Sequence, residues 1–246
     1  MAQAAKSKAG GVRPRLILAS ASPRRVALLR QLGLRFLIKP AQVAELTSSH
    51  LTPRELARFN AWRKAWAVAQ AYPDALVLGA DTVVCLGRKL FGKPSSLAQA
   101  RRMLAQLQGR THEVITGVCL VHLRERRHKT FAVSTRVTFR RLGPMQIRAY
   151  LQRVNPLDKA GAYAIQENGH EIIARIAGSF SNVVGLPLER LRQELAAWGI
   201  ALPPKPRRSK ATLTLPSSTT DRLAAPTREA GRRQKTLAKR FSRTSS

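Results

Sequence analysis

Three stretches of the sequence gather hydroxyls, arginines, a carboxylate and a lysine at spacings that suit a phosphorylated ligand. The first is LILASASPRR, residues 16–25. An apolar run stops at Ser20-Ala21-Ser22, turns at Pro23 and delivers Arg24 and Arg25. A strand end, a tight turn and a helix start converge there, so open backbone N–H groups and the helix dipole favour an anion. Ser20 and Ser22 add donors, and the two guanidinium groups add charge and forked geometry for phosphate oxygens. The stretch lacks the glycines and the GK[ST] ending of a Walker loop. A capped surface helix with two solvated arginines would show the same pattern.

The second stretch is GADTVVCLGRKLFGKP, residues 79–94. Asp81 follows an apolar run and is expected at the carboxyl end of a strand, where α/β sheets place their ligands. A carboxylate there either holds a divalent metal or takes a proton from water, and Lys93 after a turn neutralises phosphate charge. That pair is the equipment for nucleophilic attack on a phosphoanhydride. The third is DKAGAYAIQENG (158–169) with GSFSNVVGLPLERL (178–191). Dense small residues let a ligand approach the backbone, and the Gln166 amide, both donor and acceptor, suits a base edge. The five histidines show no HExxH spacing, and no GxSxG elbow occurs, which argues against those zinc and serine hydrolases. Glu45, Asp81 and Glu113 are the carboxylates within reach of ordered apolar segments.

The elements that must position these residues alternate between strand-like and helix-like segments, which indicates an α/β domain from residue 15 to about 200. RLILA is the first strand, and Ser22-Pro23 opens a short helix. Thr52-Pro53-Arg54-Glu55 is a capping box opening a helix to about Ala71. ALVLGAD (75–81) is the second strand, and Ser96 starts a helix that ends near Gly109. Two long strands, 112–123 and 129–140, flank a charged hairpin loop at 124–128. A helix at 144–154, a glycine-rich section with short strands at 158–186, and a last helix striped by Leu188, Leu191, Leu195 and Trp198 follow. Residues 1–14 read as a flexible leader, and residues 201–246 as a basic, disordered tail.

With 44 Lys and Arg against 13 Asp and Glu, the chain carries a net charge of +31. Such a field attracts polyanions: nucleotides, phosphorylated metabolites, nucleic acid or an acidic surface. An arginine-biased composition would give the same number. Aromatic residues make up only 5%, which weighs against single-strand recognition as the main function, and leaves weak nucleic-acid contact through the basic tail as a secondary property. Cys85 and Cys119 in apolar settings read as buried free thiols of a reducing compartment. No signal-peptide core or membrane-length apolar run is visible, so the expectation is a cytoplasmic protein with no membrane contact.

Taken in order, LILASASPRR, GADTVV…GKP and DKAGAYAIQ…GSFSNVVGLPL resemble the Maf family of nucleotide pyrophosphatases, as do GRTHEVITGV (109–118) and STRVTF (134–139). The resemblance spans about residues 15–199. It implies an α/β fold similar to the inosine triphosphate pyrophosphatases, with a mixed twisted sheet and two lobes around a central cleft, usually as a homodimer. It also implies hydrolysis of a nucleoside triphosphate to monophosphate and pyrophosphate with a divalent cation (Mg²⁺, Mn²⁺ or Co²⁺). The family's motif positions fall on Ser20 and Arg24 as phosphate contacts, on Glu45, on Asp81 as proton acceptor or metal ligand, and on Lys93. A family lysine corresponds to Lys64, with Arg25 beside the phosphate contacts. Gln166 falls where subfamilies divide, and DKAGAYAIQ looks like the dTTP/UTP type, whereas the 7-methyl-GTP branch carries a Glu-containing segment. The sequence departs from the family at Val43-Ala44-Glu45, where Val-Asp-Glu is usual, and at ENGHEII after Gln166. The competing readings are a 7-methyl-GTP pyrophosphatase, a nucleic-acid-binding protein, and a division-regulating protein without catalysis, the last from the family's association with septum formation.

Overall fold

The computed structural model describes residues 15–203; the expected leader and all but the first three residues of the expected tail lie outside them. Seven strands form one mixed sheet: β1 (Leu16–Leu18), β2 (Phe36–Ile38), β3 (Leu76–Leu86), β4 (Lys89–Phe91), β5 (Thr111–His122), β6 (Arg127–Phe139) and β7 (Ile173–Ala177). The helices are α1 (Pro23–Arg30), α2 (Pro53–Ala71), α3 (Leu97–Leu107), α4 (Pro144–Arg153), α5 (Gly169–Ile172), α6 (Phe180–Val184) and α7 (Leu188–Ala197), with a 3₁₀ turn at Ala160–Ala162.

Spatially the strands run β2-β1-β3-β5-β6-β7, with β4 hydrogen-bonded to β3. β1 is parallel to both β2 and β3, and the remaining pairings are antiparallel. β1 therefore has its two sequence successors on opposite sides. The connecting helices lie on opposite faces. Val26, Leu28 and Leu29 of α1 pack with Leu16, Leu18, Leu76 and Leu78, and Ala61, Ala65 and Val68 of α2 pack with Ile17 and Val77. The carboxyl end of β1 is thus a switch point, the crevice in which open α/β sheets bind ligands.

Sheet pairing leaves a notch at that point. β1 covers one edge of β3 as far as Leu78, and β4 resumes at Val84. Between them, Gly79–Val83 have no strand on that edge among the described residues, while β5 backs β3 from Val77 to Cys85. On the α1 face the core falls into two clusters, one of β1, α1 and α7 and one of α3, α4 and the 160–165 region. The cleft runs between them.

The helix starts follow their sequence signals. Thr52 Oγ accepts from the Glu55 N–H at 3.2 Å while Glu55 Oε2 accepts from the Thr52 N–H at 2.9 Å, a complete capping box. Ser96 caps α3 through the Gln99 N–H. Ser22 precedes Pro23 as expected, but its side chain makes no cap bond.

Two expectations change. β3 does not stop at Asp81; its apolar continuation TVVCL keeps pairing with β5 and then meets β4. Asp81 is therefore mid-strand, three residues past the end of the parallel pairing at Leu78. The 158–186 section, expected to hold short strands, has one, β7, and otherwise a 3₁₀ turn and short helices, one of them, at 180–184, capped by Ser179. Leu202 packs against the β1–α7 cluster, and the Pro203 carbonyl accepts from Arg192, so the packed body runs three residues past position 200.

Candidate active site

Strand alternation decides where each side chain points. On β3, Val77, Gly79 and Asp81 face α2, while Ala80 and Thr82 face the α1 side. α2 can lie unusually close to the sheet there because two glycines oppose it. A Cβ on Gly79 would come within 2.3 Å of the Ala61 carbonyl oxygen, and one on Gly117 within 2.2 Å of the Ala57 carbonyl oxygen. Ala57, Ala61 and Ala65 are fully buried in that contact. The close approach brings the next positions round the helix, Asn60 and Lys64, onto Asp81.

Lys64 is the hub. Its Nζ donates to Asp81 Oδ1 at 2.6 Å and to Glu45 Oε1 at 2.8 Å. Asp81 is 4% exposed, and its other oxygen accepts from Asn60 Nδ2 at 3.4 Å. Lys93, more than half exposed, stands 3.6 Å from Glu45 Oε1. Desolvation pushes the Glu45 carboxyl upward, but the bond from Lys64 and the charges of Lys64, Lys93 and Arg25 outweigh it and hold the group below the usual carboxylate range.

Across the notch stands the β1–α1 turn. Ser20 Oγ accepts from the Ser22 N–H at 3.2 Å and from Arg25 Nη1 at 3.3 Å. Arg25 also donates from Nη2 to Thr82 Oγ at 2.9 Å and from Nε to the Gly185 carbonyl at 2.9 Å. All three guanidinium nitrogens are engaged within the fold, so Arg25 braces the turn from behind. Burial lowers its pKa from the ordinary value, against the opposing pull of Asp81 and Glu45. Behind Thr82 a polar chain continues through Thr116 to the Asn182 carbonyl. It ties the turn to the 178–185 segment. Arg24 points the other way and pairs with Asp158 at 3.0 Å. Asp158 is held in turn by Lys159, so desolvation, which raises the Asp158 carboxyl, is overridden by these two cations and its pKa is lowered.

Ser20, Arg24, Arg25, Glu45, Lys64, Asp81, Lys93 and Gln166 all line one cleft of about 1140 Å³. The structure brings all eight residues to which the family resemblance gave a site role to this space. Ala164, Ile165 and Gln166 form part of the wall beyond Asp158, with Gln166 exposed. Glu113 is elsewhere: it accepts from Ser134 Oγ at 2.6 Å and is not among the cleft residues. Sequence reasoning passed over Asn60, Thr82 and Asp158. The signal for Asn60 was its i, i+4 spacing from Lys64 beside an alanine stripe, and for Thr82 its place next to Asp81 and hence on the opposite face.

No group of three or more His, Cys, Asp or Glu side chains suited to a metal occurs among the described residues. The available donor set is two carboxylates with Lys64 between them. Hard oxygen donors of this number match a Mg²⁺-type ion that takes its remaining ligands from water and substrate phosphates, so Asp81 and Glu45 fit such an ion as a shared rather than an all-protein site. No helix among the described residues is long and apolar enough to cross a membrane. Cys85 and Cys119 are buried and unpaired, and desolvation pushes both thiols up to about 11.

The family profile described as Maf-like protein matches residues 15–198. A dTTP/UTP pyrophosphatase of Moorella thermoacetica is 52% identical over 187 residues, covering 76% of this chain and 96% of the relative. One of Gloeobacter violaceus is 48% identical over 182 residues, covering 74% and 95%. Among solved structures, the Staphylococcus aureus Ham1 protein aligns with 75% of this chain and 99% of its own at 16% identity, with a TM-score of 0.46.

Proposed function

The chain belongs to the Maf family, and on that premise we propose that it hydrolyses dTTP and UTP to the monophosphate and pyrophosphate. One observation carries the reading: the Lys64 ammonium bridges Asp81 and Glu45 at 2.6 and 2.8 Å, in a sheet notch facing the hydroxyl- and arginine-bearing turn. The relatives named dTTP/UTP pyrophosphatase support the choice of substrate.

Ser20, Arg24 and Lys93 take the triphosphate oxygens, and Arg25 adds positive charge from behind the turn. For Arg24 this means exchanging Asp158 for phosphate, an exchange between two anions that leaves its charge satisfied. Asp81 accepts a proton from the attacking water. The water oxygen bonds to the α-phosphorus, the bond from that phosphorus to the bridging oxygen breaks, and pyrophosphate departs with the electron pair. Lys64 fixes the orientation of the Asp81 carboxylate throughout. A divalent cation (Mg²⁺, Mn²⁺ or Co²⁺) would be held by Glu45, with Asp81 as its ligand only where Asp81 is not the proton acceptor, and would supply charge neutralisation at the phosphate oxygens. Gln166 reads the small imide edge shared by uracil and thymine, presenting one donor and one acceptor.

The test is pyrophosphate release from dTTP, UTP, CTP, ITP and 7-methyl-GTP with Mg²⁺ or Mn²⁺. Release from dTTP and UTP, lost in Asp81→Asn, is the expected result. Near-normal turnover by Asp81→Asn removes Asp81 from the chemistry. Gln166→Glu leaving the ratio of dTTP to 7-methyl-GTP hydrolysis unchanged removes the specificity role. Release from 7-methyl-GTP instead reassigns the substrate, and release from none returns the weight to nucleic-acid binding or to a regulatory protein.

A further inference from the structure

Three consecutive residues of the segment before α2 are each held by one residue on a single face of that helix. Arg63 Nη1 donates to the Ala44 carbonyl at 2.9 Å. Lys64 Nζ donates to the Glu45 carboxylate at 2.8 Å. Asn60 takes both backbone groups of Leu46: its Oδ1 accepts from the N–H at 2.9 Å, and its Nδ2 donates to the carbonyl at 3.0 Å. Residues 39–48 have no helix or strand of their own, so these ties decide where Glu45 stands. Asn60 is 3% exposed, and the same Nδ2 reaches Asp81 Oδ2 at 3.4 Å.

The chemistry of this clamp is specific to a primary amide. It needs an acceptor and a donor side by side to match one residue's N–H and C=O, as a neighbouring strand would, and a second N–H for the carboxylate. An aspartate in its place could not donate to either oxygen, and a leucine of the same size could make none of the three bonds. A buried amide interior to a helix is otherwise a poor choice, since its polar atoms lose water without gain unless each is matched.

We propose that Asn60 is a positioning residue that sets both site carboxylates at once, Glu45 through the backbone of Leu46 and Asp81 directly. The inference rests on the reading of Asp81 and Glu45 as the active pair, and adds the residue that fixes their separation around Lys64. Without the clamp Leu46 is released and Glu45 drifts from Lys64. Asp81 keeps Lys64 but loses the contact on its second oxygen.

Asn60→Leu preserves volume, and Asn60→Ser, smaller and polar, serves if leucine does not fold. Two readouts are taken on the folded full-length protein: hydrogen exchange of the Leu46 amide by NMR, since that N–H donates to Asn60 Oδ1, and dTTP hydrolysis with kcat and KM separated. The expected result is a Leu46 amide exchanging faster by roughly tenfold or more once its acceptor is gone, and a kcat lower by roughly 10- to 100-fold, as for other residues that orient ligating or catalytic groups. KM for dTTP stays within about threefold, since the phosphate-holding residues are untouched. Arg63→Met, which removes the adjoining tie without contact to Asp81 or Leu46, leaves the Leu46 amide protected. A folded Asn60 variant with Leu46 exchange unchanged and a kcat within twofold of wild type overturns the proposal. Absence of nucleotide hydrolysis by the wild-type protein would instead overturn the proposed function, while the Leu46 exchange still decides whether Asn60 acts as a clamp.

Discussion

Replacing Gly117 by alanine adds one methyl group on the strand next to Asp81 and should disable the site without touching any residue in it. Gly117 is the register partner of Asp81 across β3 and β5. Its added Cβ would sit 2.2 Å from the Ala57 carbonyl oxygen, 2.3 Å from the Ala57 carbonyl carbon and 2.6 Å from the Arg58 nitrogen. These are backbone atoms of a nineteen-residue helix, so no rotamer change relieves the overlap. Restoring ordinary contact requires α2 to lift by about 1 Å, and overpacking of this kind costs about 1–3 kcal/mol. For a domain of this size that is a fall in Tm of roughly 2–12 °C. The larger effect falls on chemistry. Asn60 and Lys64 sit one and two turns further along the same helix, and a displacement of about 1 Å there costs roughly 100-fold in kcat/KM. Thermal unfolding and pyrophosphate release from dTTP, measured on the same preparation, give both numbers. A Gly117→Ala protein with Tm within a degree and kcat/KM within twofold of wild type would show that the close approach of α2 does not set the site.

Two further outcomes follow from the packing. His112 is 1% exposed, its Nε2 lies 2.8 Å from the Tyr163 hydroxyl, and its Nδ1 has no partner among the described residues. Desolvation therefore lowers its pKa to about 4. Because the unfolded chain takes this proton first, the stability contribution is complete above about pH 6.5 and is lost as the pH falls towards 4, amounting to about 2 kcal/mol between pH 7 and pH 5. Urea unfolding at the two pH values should show that difference in wild type and lose most of it in His112→Gln; equal pH dependence in both would remove His112 as the cause. Ser96→Ala deletes the cap of α3, whose Oγ accepts from the Gln99 N–H at 3.2 Å. It should cost about 1 kcal/mol with kcat unchanged, and a loss of activity beyond twofold would mean that α3 supports the cleft more directly than its position indicates.

The sequence made local features legible and long-range ones less so. The Ser20–Arg25 turn, the Thr52 capping box and the two long antiparallel strands each depend on neighbours within a few residues, and each formed as read. The end of β3 did not, because an aspartate in an apolar run looks like a terminator when its partner is unseen. The carboxylate is tolerated mid-strand since Lys64, seventeen positions earlier, meets it at 2.6 Å. Arg25 looked like a second phosphate hand beside Arg24, but Thr82 and Gly185 claim its nitrogens, and both lie far along the chain. Asn60 left little trace, because an asparagine within a helix ordinarily faces water. Its role exists only once the 40–51 segment folds back over α2.

The gap between β1 and β4 also bears on strand-to-strand association. An exposed strand edge is a template for another chain, and open edges are a common route to aggregation. The unpaired stretch Gly79–Val83 is recessed between two strands of the same sheet, and the carboxylate it carries is already neutralised by a lysine. A foreign strand would have to displace β1 or β4 to extend its pairing, whereas a small polyanion needs only the width of the gap. The opening that admits a ligand is thus shaped to refuse a polypeptide.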